Sequence, residues 1–131
     1  MYALIDTCVL IDLAEIDLGE YRDAGLVASA ITVGELAFGA DSGPDPHARQ
    51  IRLRHVLATY EILPFGVEEA KFYGVLSTLV RATGRSPRAR RLDLQIAATA
   101  AAARMPLLTA NPGDFVGADR LVDVVPVSRA S

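Results

Sequence analysis

The most constraining feature of this sequence is the alternation of short apolar runs with segments of helical periodicity. Strands are predicted at residues 2–5, 26–30, 60–65, 107–109 and 121–127. Helices are predicted to start at residues 6–7 and 32–35 and to cover residues 48–59, 67–83 and 92–104. Strands separated by helices in this way predict an α/β fold of three α/β/α layers, with a mostly parallel central sheet covered on both faces.

Length and composition narrow the class of protein. A chain of 131 residues can bury about two-thirds of its unfolded surface, so we expect a single domain spanning residues 1–131. The single cysteine, Cys8, excludes a disulfide scaffold, favours a cytoplasmic protein and is expected to be a small core residue. The formal net charge of -3 is unlike that of a general nucleic-acid coat protein. No apolar run approaches the length that crosses a bilayer, so no membrane contact is expected.

Four acidic residues are placed where a parallel sheet binds its ligands. Asp6 follows the first predicted strand, Asp114 follows the strand at residues 107–109, and Glu35 and Asp93 lie in or at the first turns of two helices. Ligands of such sheets bind beyond the carboxyl ends of the strands, so these acids are expected to converge. Convergent carboxylates repel unless a cation neutralises them, and oxygen-only ligands suit Mg²⁺ or Mn²⁺. Such a site predicts metal-assisted hydrolysis of a phosphodiester.

Each acid also has a purely structural interpretation. Asp6 and Asp93 are suited to be helix N-caps, and Glu35 would be the last residue of a Thr32-x-x-Glu35 capping box. Asp114 is suited to hydrogen-bond its own turn. Such caps account for each acid singly, but they do not account for all four together.

Four segments carry a resemblance to a known family. They read Leu-Ile-Asp-Thr at residues 4–7, Ser-Ala-Ile-Thr-Val-Gly-Glu-Leu at 29–36 followed by Gly39, Leu-Asp-Leu-Gln-Ile-Ala-Ala-Thr-Ala at 92–100, and Leu-Thr-Ala-Asn-Pro-Gly-Asp-Phe at 108–115. In this order the chain resembles the PIN-domain nucleases, and specifically the VapC-type toxins of toxin-antitoxin pairs. The resemblance implies a PIN-like fold and a metal-dependent endoribonuclease that uses Mg²⁺ or Mn²⁺. It also implies a homodimer that is silenced by a cognate antitoxin, with DNA contacted only through that antitoxin.

The resemblance assigns roles to individual residues. Asp6, Glu35, Asp93 and Asp114 match the acidic catalytic and metal-binding quartet, and Thr7, Thr109 and Asn111 match the polar residues that support it. The chain departs from the family at Ala110, where relatives often have a basic residue.

The segment of residues 81–91 contains five arginines and no acid. Its arginines are interpreted as an RNA-backbone clamp beside Asp93, because guanidinium groups bind phosphates through paired hydrogen bonds. The residues proposed to contact RNA are Arg85, Arg88, Arg90 and Arg91. A solvated surface segment and a docking site for an antitoxin remain alternatives.

Two other functions are weighed against the nuclease. A phosphatase with an aspartate nucleophile would need a second carboxylate two residues after Asp6, but residue 8 is cysteine. A non-catalytic module of the same fold that binds protein or RNA remains the main alternative. Such a module would bind RNA equally well with or without a metal chelator, whereas a chelator would stop cleavage by a nuclease.

Overall fold

The computed structural model describes residues 1–131, apart from the side chain of Ser42. A parallel sheet has the strand order β4-β3-β1-β5-β6, and a small antiparallel ribbon pairs β2 with β7. The strands are β1 (Tyr2–Ile5), β2 (Ile16–Asp17), β3 (Gly25–Ser29), β4 (Glu61–Leu63), β5 (Leu107–Thr109), β6 (Val124–Pro126) and β7 (Ser128–Arg129). The α/β prediction is confirmed, with β4 at an edge of the sheet.

Five α-helices connect and cover these strands. They are α1 (Thr7–Ile11), α2 (Ala30–Ser42), α3 (Pro46–Thr59), α4 (Val67–Ala82) and α5 (Arg91–Ala103). Short 3₁₀ turns lie at Leu13–Glu15, Gly19–Tyr21, Arg88–Arg90, Pro112–Phe115 and Ala118–Arg120. None of the helices that the structure describes has the length and apolar character needed to cross a membrane.

Alternate residues of the central strands pack into two separate hydrophobic cores, as expected for a sheet covered on both faces. Leu4 and Leu107 pack in a core with residues of α4 and α5. Ile5 and Leu108, their neighbours in sequence, pack in a second core with residues of α1, α2 and α3. The three-layer α/β/α prediction is therefore confirmed.

The start of α2 differs from the prediction. The helix begins at Ala30, and the side chain of Ser29 caps it by accepting a hydrogen bond from the backbone N–H of Ile31 at 3.0 Å. Thr32 is fully buried inside the first turn. The Thr32-x-x-Glu35 capping box is therefore wrong, and Glu35 lies in the second turn of α2.

The order of the strands places a binding crevice beside β1. The chain adds β3 and then β4 on one side of β1, and later returns to add β5 and β6 on the other side. The order therefore reverses between β1 and β5, whose carboxyl ends are linked by a hydrogen bond from the backbone N–H of Asp6 to the carbonyl oxygen of Leu108 at 3.1 Å. Ligands of parallel sheets bind at this kind of reversal.

Candidate active site

Asp6 is held at the end of β1 by two hydrogen bonds. Its Oδ1 accepts from the backbone N–H of Val9 at 2.9 Å, so the residue caps α1, and its Oδ2 accepts from Oγ1 of Thr109 at 2.5 Å. Burial raises the pKa of Asp6, the two hydrogen bonds lower it, and the charge of Asp114 raises it. The cap is therefore real, but it occupies only one of the two carboxylate oxygens.

Glu35 is held by a chain of hydroxyl groups. Oγ1 of Thr7 donates to Oε1 of Glu35 at 2.9 Å and lies 3.1 Å from Oγ1 of Thr32, which donates to it because the proton of Thr7 is already used. Sequence reasoning treated Thr32 as a helix cap and missed this role. The signal was available, because Thr32 lies three residues before Glu35 and therefore on the same helix face.

Asp93 lies in the first turn of α5, where Arg90 occupies the N-cap position. Asp93 is therefore not the cap of this helix. The pKa of Asp93 is raised from 3.8 to about 6, most by burial and then by the negative charges of Asp114, Glu35 and Asp6 in that order. The positive charge of Arg90 opposes them. Asp93 is thus within electrostatic range of the other three acids.

A buried hydroxyl pair ties the helices of Glu35 and Asp93 together. Oγ of Ser29, at the start of α2, lies 3.0 Å from Oγ1 of Thr99 in α5, and both residues are buried. Thr99 donates in turn to the carbonyl oxygen of Gln95 at 2.9 Å. Because these groups have no access to water, their hydrogen bonds fix the register of the two helices.

Asp114 is exposed and sits in the 3₁₀ turn that follows β5. The turn is closed by a hydrogen bond from the backbone N–H of Asp114 to the carbonyl oxygen of Asn111 at 3.0 Å. Thr109 joins this turn to Asp6, because its Oγ1 accepts from the backbone N–H of Asn111 at 3.0 Å while donating to Asp6. The next residue, Phe115, is buried in the core.

The four acids do not form a compact metal cluster. Within the described residues, no group of three or more His, Cys, Asp or Glu side chains is close enough to hold a metal ion. Mutual repulsion favours such spacing, and Thr7 and Thr109 hold Glu35 and Asp6 in place separately. The chemistry of the donor set, carboxylate and hydroxyl oxygens, fits Mg²⁺ or Mn²⁺.

The arginines proposed to contact RNA occupy different positions. Arg90 and Arg91 line a cleft of about 250 Å³ together with Glu35 and Asp93, and Nε of Arg90 is buried without a hydrogen-bond partner among the described residues. Arg85 instead donates from Nη1 to the carbonyl oxygen of Gly113 at 2.9 Å, in the turn that carries Asp114. Arg88 is exposed and does not line this cleft.

Two arginines near the acids were missed by sequence reasoning. Arg49 and Arg52 of α3 line a second cleft, of about 180 Å³, with Thr7 and Glu35. Their spacing of three residues in a helix without acids was the available signal.

Cys8 is exposed, so its prediction as a core residue is wrong. Partial desolvation, followed by the negative charges of Asp6, Asp93 and Glu35, raises the pKa of its thiol. The thiol therefore stays protonated at neutral pH and is a poor nucleophile.

Replacing Thr109 by Val is expected to cost about 1–3 kcal/mol in the free energy of unfolding, because the backbone N–H of Asn111 and Oδ2 of Asp6 both lose a partner. Loss of this donor is also expected to raise the pKa of Asp6 further. Urea denaturation measures the first effect. Thr109→Ser keeps the hydroxyl and is the control. Equal stabilities of Thr109→Val and Thr109→Ser would show that these hydrogen bonds contribute nothing.

The PIN domain family model matches residues 3–121, and the chain belongs to this family. Its structure is similar to VapBC-5, a member of the VapBC family of toxin-antitoxin systems from Mycobacterium tuberculosis, at 27% identity and a TM-score of 0.77, covering 98% of each chain. FitAcB from Neisseria gonorrhoeae is 28% identical, with a TM-score of 0.73 over 94% of this chain and 96% of that chain.

A third solved structure supports the fold alone. VapBC2 from Rickettsia felis, bound to a DNA fragment from its promoter, is 21% identical, with a TM-score of 0.72 over 96% of this chain and 97% of that chain. No curated protein matches the sequence. The PIN fold and the nuclease-type class of the protein therefore rest on the family match and on these structural neighbours.

Proposed function

We propose that this chain is a Mg²⁺-dependent endoribonuclease and the toxin of a VapBC-type toxin-antitoxin pair. The observation that carries the proposal is the electrostatic coupling of Asp93 to Asp114, Glu35 and Asp6 at the strand-order reversal of a PIN fold. Four coupled carboxylates are costly without a cation, so a protein that retains them at this crevice is suited to bind one.

The four carboxylates would hold the ion, with Mn²⁺ as a substitute for Mg²⁺. When bound, the ion offsets their charge, activates water and polarises the phosphodiester. The chain itself keeps the acids in position. Thr7 orients Glu35, Thr109 orients Asp6, and the turn that begins at Asn111 presents Asp114 beside them.

The RNA strand would be held by the basic segment. Arg90 and Arg91 share the cleft of Glu35 and Asp93, and their guanidinium groups are suited to bind a phosphate oxygen. Arg85 acts on the turn of Asp114 through the carbonyl oxygen of Gly113. Arg88, which is exposed in the same segment but does not line the cleft, would add positive charge.

The partners follow from the similarity to toxin-antitoxin complexes. VapBC-5, a member of a toxin-antitoxin family, is 27% identical over nearly the whole chain, so a cognate antitoxin is the proposed protein partner. A homodimer, which the resemblance to VapC-type toxins implies, is the proposed assembly. Contact with DNA would then be made through the antitoxin.

Removal of divalent metal is the test of this proposal. Purified protein with Mg²⁺ is expected to cleave total cellular RNA, EDTA is expected to abolish cleavage, and excess Mg²⁺ is expected to restore it. Gel analysis of the fragments measures the result. Expression of the chain is expected to arrest growth, and co-expression of the proposed cognate antitoxin is expected to relieve the arrest.

The opposite outcome would support the non-catalytic module. RNA binding that EDTA does not change, together with intact RNA after prolonged incubation with Mg²⁺ or Mn²⁺ and normal growth on expression, would overturn the nuclease proposal.

A further inference from the structure

Glu35 lines two clefts that contain arginines. One cleft also contains Arg90, Arg91 and Asp93, and the other contains Arg49 and Arg52. The two clefts thus share one acidic residue. The arginines of the second cleft lie on α3. This helix contains no member of the acidic quartet and lies outside the segment of residues 81–91.

The guanidinium of Arg49 is positioned by its surroundings. Its Nε donates to the carbonyl oxygen of Pro44 at 2.7 Å. Two glycines leave room for it: a Cβ at Gly39 would lie 3.1 Å from Nη1 of Arg49, and a Cβ at Gly43 would lie 3.0 Å from Nε. The absence of a side chain at these positions lets the guanidinium lie against α2, with its remaining N–H groups available.

The charges of α3 are unbalanced. The helix contains three arginines, two histidines and no acid. Among the described residues, neither Arg49 nor Arg52 forms a salt bridge. Arg49 and Arg52 are three residues apart and share one helix face, whereas Arg54 is about 200° around the helix from Arg52 and does not line the cleft. Two unpaired guanidinium groups therefore face the cleft beside Glu35.

We propose that Arg49 and Arg52 bind phosphates of the RNA strand on the side of Glu35 opposite Arg90 and Arg91. This inference rests on the proposed nuclease function and extends its substrate groove. A single strand carries a phosphate at every nucleotide, so a strand that crosses the acidic centre presents an anion to each pair of arginines. The centre then receives a strand held at both ends, which limits its sideways movement at the scissile bond.

We favour RNA over an acidic protein segment as the ligand because the second cleft is continuous with the candidate active site. The second cleft is lined by Thr7 and Glu35 and so opens onto the candidate active site itself. Arginine is also well suited to phosphate, since its planar fork donates two parallel hydrogen bonds.

The test measures RNA binding without cleavage. Protein carrying Asp93→Asn is titrated in Mg²⁺ with a fluorescein-labelled single-stranded RNA of 20 nucleotides over a series of KCl concentrations. Adding Arg49→Ala and Arg52→Ala is expected to weaken binding by at least about 10-fold at 0.1 M salt. The slope of log K against log salt is expected to fall by about 1.4, since each lost phosphate contact on a single strand contributes about 0.7.

A matched pair of substitutions controls for net charge. Arg22→Ala and Arg54→Ala remove two charges of the same sign from exposed positions, one just before the amino-terminal end of β3 and one on another face of α3. This pair is expected to change the affinity less than about twofold, because neither side chain lines either cleft. The single variant Arg52→Gln leaves the Arg49–Pro44 hydrogen bond intact. It is expected to lower the slope of log K against log salt by about 0.7.

Equal affinities and slopes for the Arg49/Arg52 pair, Arg52→Gln and the control pair would overturn the inference. A loss confined to binding of the antitoxin would overturn it as well, because it would assign the face to a protein partner. The wild-type chain is assayed for cleavage of the same RNA in parallel. Absent cleavage contradicts the nuclease proposal, whereas normal cleavage with unchanged RNA binding contradicts only the role of α3.

Discussion

Asp93→Asn is expected to reduce RNA cleavage by at least about 100-fold and, at the same time, to stabilise the metal-free protein. Substitutions that only support a metal ligand cost about 10- to 100-fold, so loss of a proposed ligand is expected to exceed that range. The stabilisation has a separate cause. Asp93 is partly buried beside Asp114, Glu35 and Asp6, and its charge is therefore unfavourable in the folded state.

The sign of the pH dependence follows from the same pKa. The folded value of about 6 lies above the usual value of 3.8, so the folded protein retains a proton that the unfolded chain releases between these pH values. The free energy of unfolding is thus expected to fall as pH rises from about 4 to about 6 and to change little from this source above 6. After allowance for the partial exposure of Asp93, the loss is about 1 kcal/mol.

Urea denaturation of wild type and Asp93→Asn at pH 4 and pH 7, both in EDTA, measures this difference. The gap between the two proteins is expected at pH 7 and is expected to close at pH 4. Asp23→Asn is the control, since Asp23 is an exposed acid just before the amino-terminal end of β3, whereas the site lies at the carboxyl ends of the strands. Full cleavage by Asp93→Asn, or equal cleavage losses in both variants, would contradict the assigned site.

Phe115→Ala is expected to lower the free energy of unfolding by about 3–5 kcal/mol, a large part of the stability of a small domain. Phe115 is 1% exposed and packs in the core formed with α4 and α5. It also ends the 3₁₀ turn that presents Asp114. Loss of the Phe115 side chain is therefore expected to weaken Mg²⁺ binding as well as to lower the stability.

Denaturation in urea measures the stability loss, and the increase in melting temperature on adding Mg²⁺ reports the metal affinity. Val116→Ala, at the exposed neighbouring position, is the control and is expected to cost less than about 1 kcal/mol. Phe115→Leu conserves most of the side-chain volume and is expected to cost less than about 1.5 kcal/mol. Similar losses for Phe115→Ala and Val116→Ala would show that the ring does not anchor the turn.

Local patterns predicted the elements well where periodicity was strong. The strands at residues 2–5 and 107–109 have the predicted bounds, and α4 ends one residue before its predicted limit. The start of α2 was misplaced because Ser29 and Thr32 are both good cap residues. Burial decided between them, since Ser29 also bonds Thr99 of α5 while Thr32 faces Thr7.

Local patterns gave the wrong environment for Cys8 and for the arginines of α3, because both environments depend on contacts between residues distant in sequence. Cys8 follows an apolar pattern in sequence, but the short α1 leaves it exposed beside the acids. The basic residues of α3 had the composition of a surface helix. Only the packing of α3 against α2 places Arg49 and Arg52 in a cleft with Glu35.

The sequence by itself determined the α/β class, the placement of Asp6 and Asp114 after strands, and the acidic composition of the site, because these depend on periodicity and on residue type. The tertiary structure determines which side chains of the site form hydrogen bonds and which charges interact. The reversal of strand order beside β1 joins residues more than 100 positions apart, as in the Thr109–Asp6 hydrogen bond. It also sets the order in which Asp114, Glu35 and Asp6 raise the pKa of Asp93. Coulomb interactions depend on distance through space, which the order of residues along the chain does not contain.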